Sequence, residues 1–218
     1  MRHNIALLLT LSFVMNVRAD CPTPQSPAAW PNGLGVSYAF PANNPPPCWR
    51  GESISALGLT SDISAAFGQW TNANQSQNNS GVGFYYSNSG PFSVFVQTVV
   101  DPIGCGVSVA AQTFVAIYEG TGIVVSAQTY FYLGSNGGLG FPNYDPNSAN
   151  YHAFIQKLMV HEIGHSMGLA NQPLGAGPCA GQVAGQSVMN AACGTNDVAN
   201  NLPAAMVGLT SCDNQSLP

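Results

Sequence analysis

Charge is scarce in this chain. Asp, Glu, Lys and Arg make up 6% of its 218 residues, and only four residues are basic. Two of those, Arg2 and Arg18, fall near the start, which leaves Arg50 and Lys157 against nine acidic groups. So few cations cannot neutralise a polyanion, which speaks against a nucleic acid or an anionic membrane as partner. Solubility must rest on uncharged Asn, Gln and Ser, and on Gly. Long apolar runs are lacking too. The run from Ile5 to Val17 is too short to span a bilayer, and no later one approaches membrane length. No CxxC pair occurs, so a cysteine zinc site is not expected. Internal repeats and domain linkers are absent as well. Histidine is rare, with four in all, and that scarcity gives weight to where they fall.

What is present begins with an export pattern. Arg2 and His3 precede the apolar run, and Val17-Arg18-Ala19 follows it with residues that a signal peptidase reads. Residues 1–19 are expected to be a signal peptide cut after Ala19, and residues 20–218 a single secreted domain with room for a sizeable core. Six cysteines follow, Cys21, Cys48, Cys105, Cys179, Cys193 and Cys212. An even count in an exported chain allows up to three disulfides. Cys179 and Cys193 are expected to pair. Asn74, Asn78 and Asn214 begin Asn-x-Ser sequons, which matter only in a eukaryotic secretory pathway.

Apolar spacing outlines the elements. Val36–Phe40, Val82–Tyr86, Phe92–Val100, Thr113–Tyr118 and Ile123–Leu133 are rich in Val, Phe, Tyr and Thr and are bounded by turn residues, as strands are. Ile54–Trp70 has helical spacing, and Thr71–Gly81 reads as a polar loop. Gly134–Asn150 is a long Gly/Asn/Pro loop before a second helix from about Ala149 to Leu169, and the remainder is loop-rich, with a short last helix starting at Pro203. This order predicts an α+β fold: one twisted mixed sheet of about five strands, packed with an early helix and a later one, and an irregular C-terminal part.

The later helix carries His161-Glu162-Ile163-Gly164-His165. On a helical wheel Tyr151, Phe154, Leu158, His161, Glu162 and His165 share one stripe. His161 and His165 stand one turn apart, so both imidazoles reach one ion. Glu162, beside them, reaches a water at that ion. Such a set suits metal-assisted hydrolysis. Zinc lowers the pKa of a bound water toward about 7, and the carboxylate takes the proton as the water attacks a carbonyl, then passes it to the leaving amine. His152 lies nine residues before His161, about 13.5 Å along the helix axis, and cannot converge on the same ion. Gly168 can take positive φ, end the helix and turn the chain.

The stretch HEIGHSMGLAN from His161 to Asn171 resembles the HExxHxxGxxH signature of metzincins, the matrixins and astacins among them. Ser187-Val188-Met189-Asn190 is similar to the Met-turn of that family, and Ala65–Trp70 is similar to the first helix of matrixin catalytic domains. The resemblance implies a zincin-like domain over residues 20–218. It further implies a secreted zinc endopeptidase acting on a protein or peptide substrate, with Glu162 as general base and His161, His165 and Asn171 as metal ligands. A monomer without nucleic-acid or membrane partners is expected.

The chain departs from the pattern at Asn171, where the family has His, or Asp in a minority. An amide oxygen is neutral and a poorer donor than either. Asp197, in Gly194-Thr195-Asn196-Asp197, looks like the GTxD segment of aspzincins and is a second candidate; Gln172 or water alone remain open. Two rival readings follow: an aspzincin-type peptidase with Asp197 as third ligand, and an exported, non-catalytic domain with an adhesive or binding role.

Overall fold

A computed structural model of the chain describes residues 28–45, 47–77, 80–99, 111–133, 149–169, 189 and 209. The described residues form an α+β arrangement of six strands and two helices. In chain order these are β1 (Gly35–Ala39), β2 (Trp49–Glu52), α1 (Thr60–Gln77), β3 (Gly83–Tyr86), β4 (Phe92–Val99), β5 (Ala111–Ile117), β6 (Val124–Leu133) and α2 (Ala149–Ser166). One mixed sheet runs β3-β1-β4-β6-β5. The β1–β3, β1–β4 and β4–β6 pairs are parallel, and β5–β6 is antiparallel. β2 pairs antiparallel with the far end of β4, opposite Val96 to Val99.

The inward side of the sheet follows from strand alternation. Phe92 and Val94 of β4 are buried and lie in register with Ala127 and Thr129 of β6, and Thr129 lies opposite Thr113 of β5. All five side chains therefore share one face. Both helices pack on it. Phe67 of α1 stacks on Tyr38 of β1 with ring centroids 3.9 Å apart, and meets Phe92 of β4 edge-on at 5.0 Å. α2 lies over β5 and β6, where Glu162 meets Thr113. The opposite face carries the stacked rings of Phe95 and Tyr130 at 4.8 Å.

The two helices run side by side in the same direction. Asp62 Oδ2 meets His152 Nδ1 at 2.5 Å, and eight residues further along each helix Trp70 Nε1 donates to the Val160 carbonyl at 2.9 Å. Each pair is ninety residues apart in sequence, and an equal offset at two points fixes a parallel alignment. His152 thus ties α1 to α2 near their N-termini. Among the described residues, no helix is long and apolar enough to cross a membrane.

Three expectations need correction. The sheet has six strands rather than about five, because Trp49–Glu52 adds an edge segment. This stretch has no apolar alternation of its own, and its pairing with β4 creates it. The early helix begins at Thr60, not Ile54. Residues 54–58 form a separate turn, with Leu59 N–H bonded to the Ile54 carbonyl and Gly58 at φ +70°. That same helix continues to Gln77, through the first seven of the eleven residues of the expected polar loop. Thr71 anchors the extension: its hydroxyl donates to the Phe67 carbonyl and accepts the Phe84 N–H of β3 at 2.8 Å.

Candidate metal centre

α2 is buried along most of its surface, as a helix packed against both α1 and the sheet must be. Ile155, Met159, Val160 and Ile163 are all in the core. Its last turn nonetheless brings polar groups inside. His161 and Glu162 are buried, and His165 is half-buried. Buried polar groups need partners, and each partner here has a chemical consequence.

Gly168 ends the helix at φ +87°. The Leu169 N–H reaches back to the Gly164 carbonyl and the Gly168 N–H to the His165 carbonyl, both at 3.0 Å. This is a Schellman cap, and glycine meets its left-handed position without the steric cost of a Cβ. The cap folds the Leu169 carbonyl over the helix end, where it lies 2.9 Å from His165 Nδ1. A carbonyl only accepts, so Nδ1 carries the proton and Nε2 presents a lone pair. Such an outer contact commonly fixes the tautomer of a metal-ligating histidine.

His165 Nε2 stands 3.1 Å from His161 Nε2, with the two rings at 89°. Two nitrogens bound to one tetrahedral zinc at about 2.0–2.1 Å lie about 3.3 Å apart, so the pair is spaced for a shared ion. A carboxylate oxygen of Glu162 joins them, and the three ligand atoms lie within 4.8 Å of one another. The donor set fits a divalent metal with nitrogen preference.

Glu162 is held from the sheet side. Its Oε2 accepts the Thr113 hydroxyl of β5 at 2.7 Å, and Thr113 Oγ1 is in turn 2.7 Å from Thr129 Oγ1 of β6. Burial pushes the Glu162 carboxyl above its ordinary range, while the neighbouring His165 and the Thr113 hydrogen bond pull it down. Sequence reasoning did not find Thr113 or Thr129. Their one signal is position: both occupy inward places of strands, where threonine is less usual than Val or Ile.

Met189 lies fully buried beneath this turn. A Cβ built on Gly164 would collide with the Met189 Sδ, and would also approach Met189 Cε and Trp70 Cζ2 at 3.3 and 3.4 Å. Met189 and Trp70 therefore form a floor under the His161–His165 turn, and a side chain at position 164 would have to displace the Met189 thioether.

The structure thus brings His161, Glu162, His165 and Met189 together. Asn171, Gln172, Asp197, the Cys179–Cys193 pair, residues 1–19, the helix expected at Pro203 and the sequons at Asn78 and Asn214 lie outside the described residues. Asn74 falls within α1. Among the described residues no cysteine is free, and Cys48 is disulfide-bonded.

No protein-family model matches this chain, and no curated protein matches it. Among solved structures, it is similar to a chain of the "GM1 bound form of the ECX AB5 holotoxin" at 15% sequence identity and a TM-score of 0.43. That match covers 83% of this chain and 77% of the other. A likeness at that score carries no argument about what this protein does.

Proposed function

We propose that this chain is a secreted zinc-dependent endopeptidase with a metzincin-like catalytic domain over residues 20–218. The observation that carries the reading is the trio on the last turn of α2: two imidazoles with facing Nε2 atoms 3.1 Å apart and a buried carboxylate beside them. His161 and His165 would hold the zinc, and Asn171 is the proposed third ligand. When bound there, zinc would supply Lewis acidity toward a water and a substrate carbonyl. Glu162 acts as general base, taking a proton from the attacking water and returning it to the leaving amine. Burial supports that task, since it raises the Glu162 carboxyl above its ordinary range and so makes it a stronger proton acceptor.

The sheet offers a place for the substrate. Among the described strands, β5 pairs with β6 alone, and no described strand lies along its other edge. An extended peptide hydrogen-bonded along that edge would run past Thr113, and so past Glu162. The Met189 floor beneath Gly164 supports the Met-turn reading of residues 187–190. Glu162 argues against the non-catalytic alternative, because a structural metal has no use for a buried, hydrogen-bonded base beside it.

The test is metal analysis together with a peptide-library cleavage assay on the secreted chain. One zinc per chain and cleavage abolished by chelation are expected. A zinc-loaded chain that cleaves no peptide would refute the peptidase reading and leave the binding-domain alternative.

A further inference from the structure

Glu162 is a buried carboxylate on a helix, yet the hydrogen bond that orients it comes from a strand forty-nine residues away in sequence. A threonine hydroxyl has one proton. Thr113 gives that proton to Glu162 Oε2, so the short contact with Thr129 must be a bond that Thr129 donates. The order is then Thr129 to Thr113 to Glu162, each link 2.7 Å. Thr129 is fully buried on β6, which is paired on both sides by β4 and β5, and Thr113 is locked opposite it by the β5–β6 register. The carboxylate is thereby tied to the rigid layer of the protein, and linked hydroxyls strengthen one another's bonds.

We propose that Thr113, oriented by Thr129, is a positioning residue for Glu162: it clamps Oε2 and so fixes the carboxylate plane, leaving the other oxygen for the attacking water. This rests on the peptidase reading. Without the clamp the carboxylate would sample rotamers that face away from the reacting atoms, and misplacement of a base lowers the chemical step rather than substrate binding.

The experiment compares Thr113→Val, Thr113→Ser, Thr129→Val and the double Thr113→Val/Thr129→Val variant with the parent, as full secreted chains. Zinc content, thermal midpoint, kcat and KM are measured for one peptide. Thr113→Val should lower kcat about ten- to a hundredfold, the scale of one hydrogen bond to a charged acceptor, with zinc content and KM unchanged. Thr113→Ser should recover most of the loss. Thr129→Val should lower kcat less, and should cost nothing further once Thr113 is already Val. Thr113→Val at parental kcat, or Thr113→Ser as slow as Thr113→Val, overturns the proposal. If Thr113→Val lowers the thermal midpoint or zinc content in proportion to kcat, its role is structural and the proposal also fails. The parent is its own control: zinc-dependent cleavage that Glu162→Ala abolishes keeps the peptidase reading intact whichever way Thr113 behaves. A parent without such cleavage sinks both.

Discussion

Met189 Sδ occupies the space that a side chain on residue 164 would need. Gly164 sits inside the turn between His161 and His165, and Met189 comes from twenty-five residues further along. A helix-interior glycine is normally a weak point, about 1 kcal/mol worse than alanine. Here the sign reverses. Gly164→Ala should destabilise the protein by about 1–3 kcal/mol through overpacking against Met189 and Trp70. Urea denaturation measures this. Combining Gly164→Ala with Met189→Ala should cost less than the sum of the two, because the smaller residue vacates the contested space. A stabilised Gly164→Ala protein would mean that the contact is absent in solution.

Metal and activity should separate at the trio. Glu162→Ala should keep one zinc per chain and lose about a hundredfold or more in kcat, the usual range for a general base. His161→Ala and His165→Ala should lose zinc and activity together. Chelation of the parent should lower its thermal midpoint as well, since a metal that binds only the folded chain stabilises it. Elemental analysis beside a cleavage assay reads all of these.

The cap at Gly168 links backbone geometry to ligand geometry. Gly168→Ala forces a Cβ into φ +87° and should cost about 1–2 kcal/mol. Zinc affinity should fall as well, by about tenfold or more, because the Leu169 carbonyl that orients His165 is carried by this turn. Gly168→Asn, which tolerates positive φ better, should be milder on both counts. Competition with a chromogenic chelator gives the affinities.

The third ligand is decided by a titration of variants. With Asn171 as ligand, Asn171→His should tighten zinc and raise activity, while Asn171→Ala should weaken zinc modestly, since a neutral oxygen donor is lost. With Asp197 as ligand, Asp197→Ala should abolish binding and Asn171→His should change little. Zinc affinity indifferent to Asn171 but destroyed by Asp197→Ala would remove the metzincin ligand assignment and spare the zinc peptidase.

Legibility in the sequence followed the range of the physics. Five strands were readable because runs rich in Val, Phe, Tyr and Thr are bounded by turn residues, and α2 was readable because its apolar stripe repeats at helical spacing. β2 was not, since Trp49-Arg50-Gly51-Glu52 has no such pattern and is a strand only through its pairing with Val96 to Val99. The start of α1 was misread because residues 54–58 carry the same apolar spacing in a turn that Gly58 closes. Its end was misread because Thr71, a poor helix former, is held by the Phe84 N–H of a strand not yet formed in any local view.

At the centre the division is the same. The approach of His161 to His165 and the stop at Gly168 were set by sequence alone, because one helical turn and one left-handed residue are local geometry. The Thr113–Glu162 bond, the Trp70–Val160 bond and the Met189 floor were decided only by tertiary structure. Each joins residues from different elements, so each depends on strand order, on the register of β5 with β6 and on the parallel packing of α1 and α2. None of these leaves a periodic trace in the residues themselves, because a contact between distant positions needs only compatible side chains once the rest of the chain has brought them together.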